Sequence, residues 1–225
     1  MASQNLIIAN ILDNNKMSWN LIIQKMLLGT DDISSVYINE QSDVYISGSY
    51  VFQTTIKKTE YNYKNNAFEI ISVFKTNVVR FDILIENNKI LLWGKKKAIP
   101  FFVTFLSISS DNTLSIEFSN IDFSKTIKSI IMYNNIDLIK MTLNNIIIEK
   151  GILANCNVSL KCLENSKELV DKYYSHISQL TVLVKGGSDN FLMRLYNTGT
   201  ISIFQDREAL SHDNILRIIN ILGGV

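Results

Sequence analysis

A chain of 225 residues with 47% hydrophobic and 19% charged residues has apolar surface enough to bury a core, which excludes a disordered segment, and its length fits one large domain or two small ones. With 22 Lys+Arg against 21 Asp+Glu, no overall field draws in a phosphate backbone, so nucleic-acid binding would have to rest on a local patch. No apolar run reaches the roughly 18 residues of a membrane span, and the start, MASQNLIIANILDNN, lacks a basic n-region, so a cytoplasmic protein without membrane attachment is expected.

Taken in chain order, the first element is a helix. Ser18 caps Trp19 to Leu28, where Trp19, Ile22, Ile23, Met26 and Leu27 recur at helical spacing, and Gly29 supplies the stop. Strand-like runs follow at 37–56, 67–74, 78–86, 90–94, 101–108 and 113–118, rich in β-branched and aromatic residues and separated by Asn, Gly, Asp and Lys. The clearest hairpin is VVRFDILIE-NNK-ILLW. Val79, Phe81, Ile83 and Ile85 form its buried face, Arg80, Asp82, Leu84 and Glu86 its wet one, and Asn87 and Asn88 accept a left-handed turn.

A short helix capped by Ser124 places Ile127, Ile130 and Ile131 inward and ends at Asn134 and Asn135; it reads as the hinge between a β-rich half, 1–135, and an α+β half, 136–225. In the second half, strands at 137–149 and 152–163 precede a helix from Asn165 to Ile177. Three strands come next, LTVLVKGG, NFLMRLYNTG and TISIFQ, and a last helix capped by Ser211 with Ile215, Ile218, Ile219 and Leu222 on one side closes the chain. The expected fold is α+β: a mostly antiparallel sheet with N-terminal, middle and two C-terminal helices packed on it.

The order strand, helix, three antiparallel strands, helix over 152–225, with MRLY-NTG-TISIF leading into DREALSHDNILRIINIL, resembles one half of the saddle-shaped TATA-binding-protein fold. The resemblance covers about a third of the chain and places Tyr196 at the family's wedge aromatic. A second copy of the block, laid on 82–99, puts Glu86 at that position, and there the following segment is interrupted by Pro100 and alternates like a strand where the family has a helix.

Groups for chemistry are sparse. The two histidines, His176 and His212, have no second ligand at metal spacing, and Cys156 with His176 lacks the surroundings of a nucleophile and base, so no catalytic residue, metal or cofactor is assigned. Cys156 and Cys162 share one alternating segment, too far apart to bridge, and read as small core residues of a reducing compartment. Gly186 and Gly187 run into a strand and make a turn, without the helix N-terminus of a phosphate loop. Asp82 and Glu86 beside Lys89 read as a solvated strand face.

Two basic-aromatic stretches stand out: Lys57, Lys58, Tyr61, Tyr63 and Lys64, and Trp93 followed by Lys95, Lys96 and Lys97. Lysines track phosphates and rings stack on bases, although edge-strand lysines look the same. With Tyr196 they form the candidate nucleic-acid surface. The sequence thus points first to a non-catalytic interaction module, a subunit or regulator that binds another protein or itself; second to a nucleic-acid binder; and third to an enzyme of unrecognised type. Heavy use of Ile, Asn and Lys fits an AT-rich gene of viral or defence-related origin.

Overall fold

The computed structural model describes residues 3–13, 18–133, 135–160, 168–170, 172–185 and 190–222. The fold is α+β, and its strands pair largely antiparallel. The chain divides into two compact units, 11–117 and 1–10 together with 118–225. The helix read as a hinge, 124–133, lies inside the second of these units.

The 11–117 unit opens with α1 (Trp19–Leu28), whose N-cap Ser18 accepts from the Leu21 amide; Ile22, Ile23 and Met26 of the expected stripe are buried, whereas Trp19 is half-buried and Leu27 is exposed. The single run expected at 37–56 is a hairpin. Strand β2 (Ser34–Gln41) turns at residues 42–44 into β3 (Tyr45–Asn62), and Ser42 closes the turn through its amide on the Tyr45 carbonyl at 2.8 Å. The runs at 67–74 and 78–86 fuse into one strand, β4 (Ala67–Leu84), which pairs with β3 along its whole length and with β5 (Lys89–Gly94) only from Val79 to Leu84. Asn88 takes the left-handed conformation expected at the β4–β5 turn, with φ of 50°.

The segment read as a strand at 101–108 is a helix, α2 (Ile99–Ser109), with Pro100 in its first turn, where the missing amide costs nothing. Its buried residues Ile99, Phe102, Leu106 and Ser109 recur at i, i+3, i+7 and i+10, and Phe101, Thr104 and Ile108 lie outside. Phe102 stacks on Phe81 at 4.7 Å, and Phe105 on Tyr50 at 4.7 Å, so α2 covers the sheet face made by Tyr50, Phe52 and Phe81. Gly48 is required on this face: a Cβ there would lie 2.6 Å from the Phe81 ring and 2.5 Å from the Tyr37 carbonyl. A short β6 (Leu114–Phe118) follows.

The N-terminal strand β1 (Gln4–Asp13), which the sequence reading did not assign and whose residues 4–10 belong to the other unit, leads the strand order β1–β11–β10–β9–β7–β8. These strands are β7 (Ile136–Glu149), β8 (Ile152–Ser159), β9 (Ile177–Val184), β10 (Phe191–Tyr196) and β11 (Thr200–Ile203). Registers such as Leu138↔Val182, Val182↔Met193, Met193↔Ile203 and Leu6↔Ile201 put one continuous set of buried apolar side chains on one face. Ile127 and Ile130 of α3 (Phe123–Met132) and Ile215, Ile218 and Ile219 of α4 (His212–Ile221) complete the core.

One cap and one boundary differ from expectation. Asp122 caps α3 in place of Ser124, its Oδ1 accepting from the Ser124 and Lys125 amides at 2.9 and 3.2 Å. Ser211 caps α4 as expected, accepting from Asn214. The helix expected through Ile177 stops sooner: residues 168–170 and 172–173 are helical, Tyr174–His176 form a 3-10 turn, and Ile177 already pairs with Leu143 in the sheet. Asn165, Cys162, Gly186, Gly187, Gly223 and Gly224 lie outside the described residues.

Candidate functional site: a two-stranded arm

Beyond Gln53, whose amide still donates to the Ile33 carbonyl at 2.8 Å, and Thr76, neither β2 nor β5 continues, and β3 and β4 form ladder pairs only with each other, from Gln53↔Thr76 to Asn62↔Ala67. Ten residue pairs at about 3.3 Å each make an arm roughly 30 Å long. The register sorts its side chains. Thr55↔Phe74, Lys57↔Ser72, Thr59↔Ile70 and Tyr61↔Phe68 share one face; Ile56↔Val73, Lys58↔Ile71 and Glu60↔Glu69 share the other. On the first face Phe68, Ile70 and Phe74 are 75%, 71% and 75% exposed. An isolated two-stranded ribbon is marginally stable in water, and an apolar stripe left open on one is a feature of interaction surfaces.

The tip is ordered by its own side chains. Asn62 and Asn65 amides donate to Glu69 at 2.9 and 2.7 Å, and hold that carboxyl below the usual carboxylate range. The Lys64 amide donates to Asn62 Oδ1 at 2.9 Å, Asn66 sits at φ of 53°, and the Tyr61 hydroxyl donates to the Asn66 side chain. Tyr61 meets the edges of both Tyr63 and Phe68 at 5.1 Å between centroids, and Tyr63 is 88% exposed. The tip therefore presents a pre-formed aromatic cluster.

The nine residues singled out in the sequence do not form one surface. Lys57, Tyr61 and Tyr63 belong to the arm, but Lys58 lies on the opposite face and is paired with Glu60 at 2.6 Å. Lys95, Lys96 and Lys97 are exposed in the turn after Gly94, which pairs with Val79; Lys57 pairs with Ser72, about 20 Å further along β4. Tyr196 is half-buried at the end of β10, in the other unit. Trp93 is corrected outright: it is 1% exposed and its indole N–H donates to Asp82 at 2.6 Å, so it has no free face for a base.

Asp82 is corrected with it. It is a core carboxylate, 1% exposed, accepting also from the Tyr45 hydroxyl at 2.5 Å, whereas Glu86 is exposed in the β4–β5 turn. Leu84 and Lys89 are buried too, and burial lowers the pKa of Lys89. Cys156 is half-buried, not a core residue. Cys156 pairs with Leu143, which pairs on its other side with Ile177, so Cys156 and the neighbour of His176 stand two strand spacings, about 10 Å, apart. His176 Nδ1 lies 3.1 Å from the Asn144 carbonyl oxygen. Among the described residues no three His, Cys, Asp or Glu side chains gather as metal ligands, and no described helix is long and apolar enough to cross a membrane.

The residues that reading the sequence missed are Phe68, Ile70 and Phe74. Their alternation along AFEIISVF was visible; that their face stays open follows only from where β2 and β5 end. In comparison with known proteins, the sequence matches no protein-family model and no curated protein.

Proposed function

We propose that this chain is a non-catalytic interaction module, a subunit or regulator of a protein assembly, which engages another protein through the β3–β4 arm. The observation that carries this reading is the open stripe of Phe68, Ile70 and Phe74 beside the Tyr61–Tyr63 cluster, on a ribbon that its own sheet leaves uncovered. Exposed aromatic and aliphatic anchors of this kind supply most of the energy of protein interfaces. The opposite face argues against a phosphate-tracking role, because Glu60 and Glu69 stand directly opposite each other there and Lys58 is spent on Glu60.

Replacing residues 55–74 by Asn-Gly tests the reading, since a two-residue type I′ turn fits between the directly paired Thr54 and Lys75. The shortened protein is expected to unfold cooperatively near the wild-type temperature and to lose its assembly partner in size-exclusion chromatography of native complexes. Retention of the partner by the shortened protein would contradict the proposal.

A second reading is favoured by the grouping of Lys57, Tyr61, Tyr63 and Lys64 on the arm. A two-stranded ribbon fits the roughly 12 Å major groove, and basic and aromatic residues on it suit phosphates and bases. Tyr196 and the saddle-like layout of 152–225 belong to the same reading. Neutralising Lys57, Lys64, Lys95, Lys96 and Lys97 together separates the two. Under the second reading, affinity for DNA or RNA falls and its salt dependence flattens by about one unit per lost contact. Under the protein-binding reading, titrations at two salt concentrations find no measurable wild-type affinity at physiological salt.

A further inference from the structure

A groove of about 700 Å³ opens between α1, α2 and the start of β2, well away in function from the arm and lined by residues of the 11–117 unit alone. That volume suits a drug-sized ligand, and its wall is the outer side of α2: Pro100, Phe101, Phe105 and Ile108. Phe105 is stacked on Tyr50 at 4.7 Å and Phe101 leans on Phe52 at 4.9 Å, so both rings are held in place from behind while Phe101 stays 52% exposed. A flat ring entering the groove finds an aromatic wall already fixed.

The polar side of the groove has one charge to offer. Lys25 is paired with Asp111, which neutralises it locally. Asp31 accepts from the Ser34 hydroxyl at 2.8 Å and the Ile33 amide at 3.0 Å, and these bonds hold its carboxyl below the usual carboxylate range. Both bonds fall on Oδ1. No described residue bonds Oδ2, and no described cation pairs with Asp31. The lining is therefore apolar and aromatic with a single uncompensated negative charge at one end, and aromatic faces add their own attraction for a cation.

We propose that this groove binds a small aromatic cation, an arylalkylamine in chemical class, with its ring on Phe101 and Phe105 and its ammonium on Asp31 Oδ2. The test is isothermal titration with tryptamine and with its uncharged alcohol counterpart, tryptophol, against the full chain and two variants. Tryptamine is expected to bind the wild type more tightly than tryptophol. Asp31→Asn, which keeps the Oδ1 acceptor and removes the charge, is expected to weaken tryptamine about tenfold and leave tryptophol unchanged. Phe101→Ala is expected to weaken both. Thermal unfolding checks that each variant is folded. Equal affinity for amine and alcohol, no effect of Asp31→Asn, or no heat of binding at millimolar tryptamine overturns the proposal. The arm-shortened protein should bind tryptamine like the wild type, so this result and the fate of the arm are read separately.

Discussion

Ile218→Asp is expected to unfold the unit that contains α4. Ile218 has no exposed surface and sits among Ile215, Ile219, Ile221 and Leu222, all buried on the same helix or just past it. An aspartate there would bury a charge with nothing in α4's apolar stripe to pair it, or expel the helix and expose the apolar side chains it buries. Either route costs about 4 kcal/mol or more, a large part of the 5–15 kcal/mol that holds a domain together. Ile218→Val removes one methylene and should cost about 1 kcal/mol. Chemical denaturation followed by circular dichroism distinguishes them: the aspartate variant should lose its transition or shift it far to lower denaturant, and an unshifted midpoint would refute the core assignment.

Asp82→Ala should be nearly as damaging, and for a different reason. The carboxylate is the acceptor for two buried donors, Trp93 Nε1–H and the Tyr45 hydroxyl, and hydrogen bonds to a charged group contribute about 1.5–3 kcal/mol each. Loss of both, together with the void left between Tyr45 and Trp93, should lower stability by about 3 kcal/mol or more. Glu86→Ala, four residues along in an exposed turn, should stay within about 0.5 kcal/mol of wild type. Denaturant titration of the pair reports the contrast, with Trp93 fluorescence as a local probe of whether the indole has left its partner. Equal midpoints for the two variants would show that Asp82 is not the keystone of this cluster.

That contrast marks a boundary of what a sequence discloses. Asp82 and Glu86 occupy equivalent positions in an alternating strand, and alternation alone assigned both to water. Leu84 between them, also on the supposed wet face, was the signal that this end of the strand is covered on both sides. The same effect hid β1: Leu6, Ile7, Ile8 and Ala9 are all buried, so the segment has no polar face to give it a strand period. It also misread α2, whose exposed face is nearly as apolar as its buried one. There Pro100 was the informative residue, since a proline opening an apolar run starts a helix more readily than it joins a strand.

What periodicity did disclose were elements with one wet side and a local stop or cap. Helix α1 runs from Ser18 to Gly29 as read, α4 begins at Ser211 as read, and the β10–β11 hairpin turns at Asn197 to Gly199 with Gly199 at φ of 80°. The candidate site fell between these cases. Lys57, Tyr61 and Tyr63 drew notice by their chemistry. Phe68, Ile70 and Phe74 stood only as members of a strand-like run, because a strand face carries no mark of whether another layer covers it.

The arm is the centre of the account, and photo-crosslinking tests it most directly. A photoreactive amino acid placed at Ile70 or Phe74, with controls at the exposed Lys96 and Glu86, would be activated in the cells that naturally produce the protein. The account predicts that positions 70 and 74 both capture the same discrete protein, that the control positions do not, and that Phe68→Ser removes or sharply reduces the product. Crosslinking at the arm no stronger than at the controls, or capture of nucleic acid in place of protein, would contradict it.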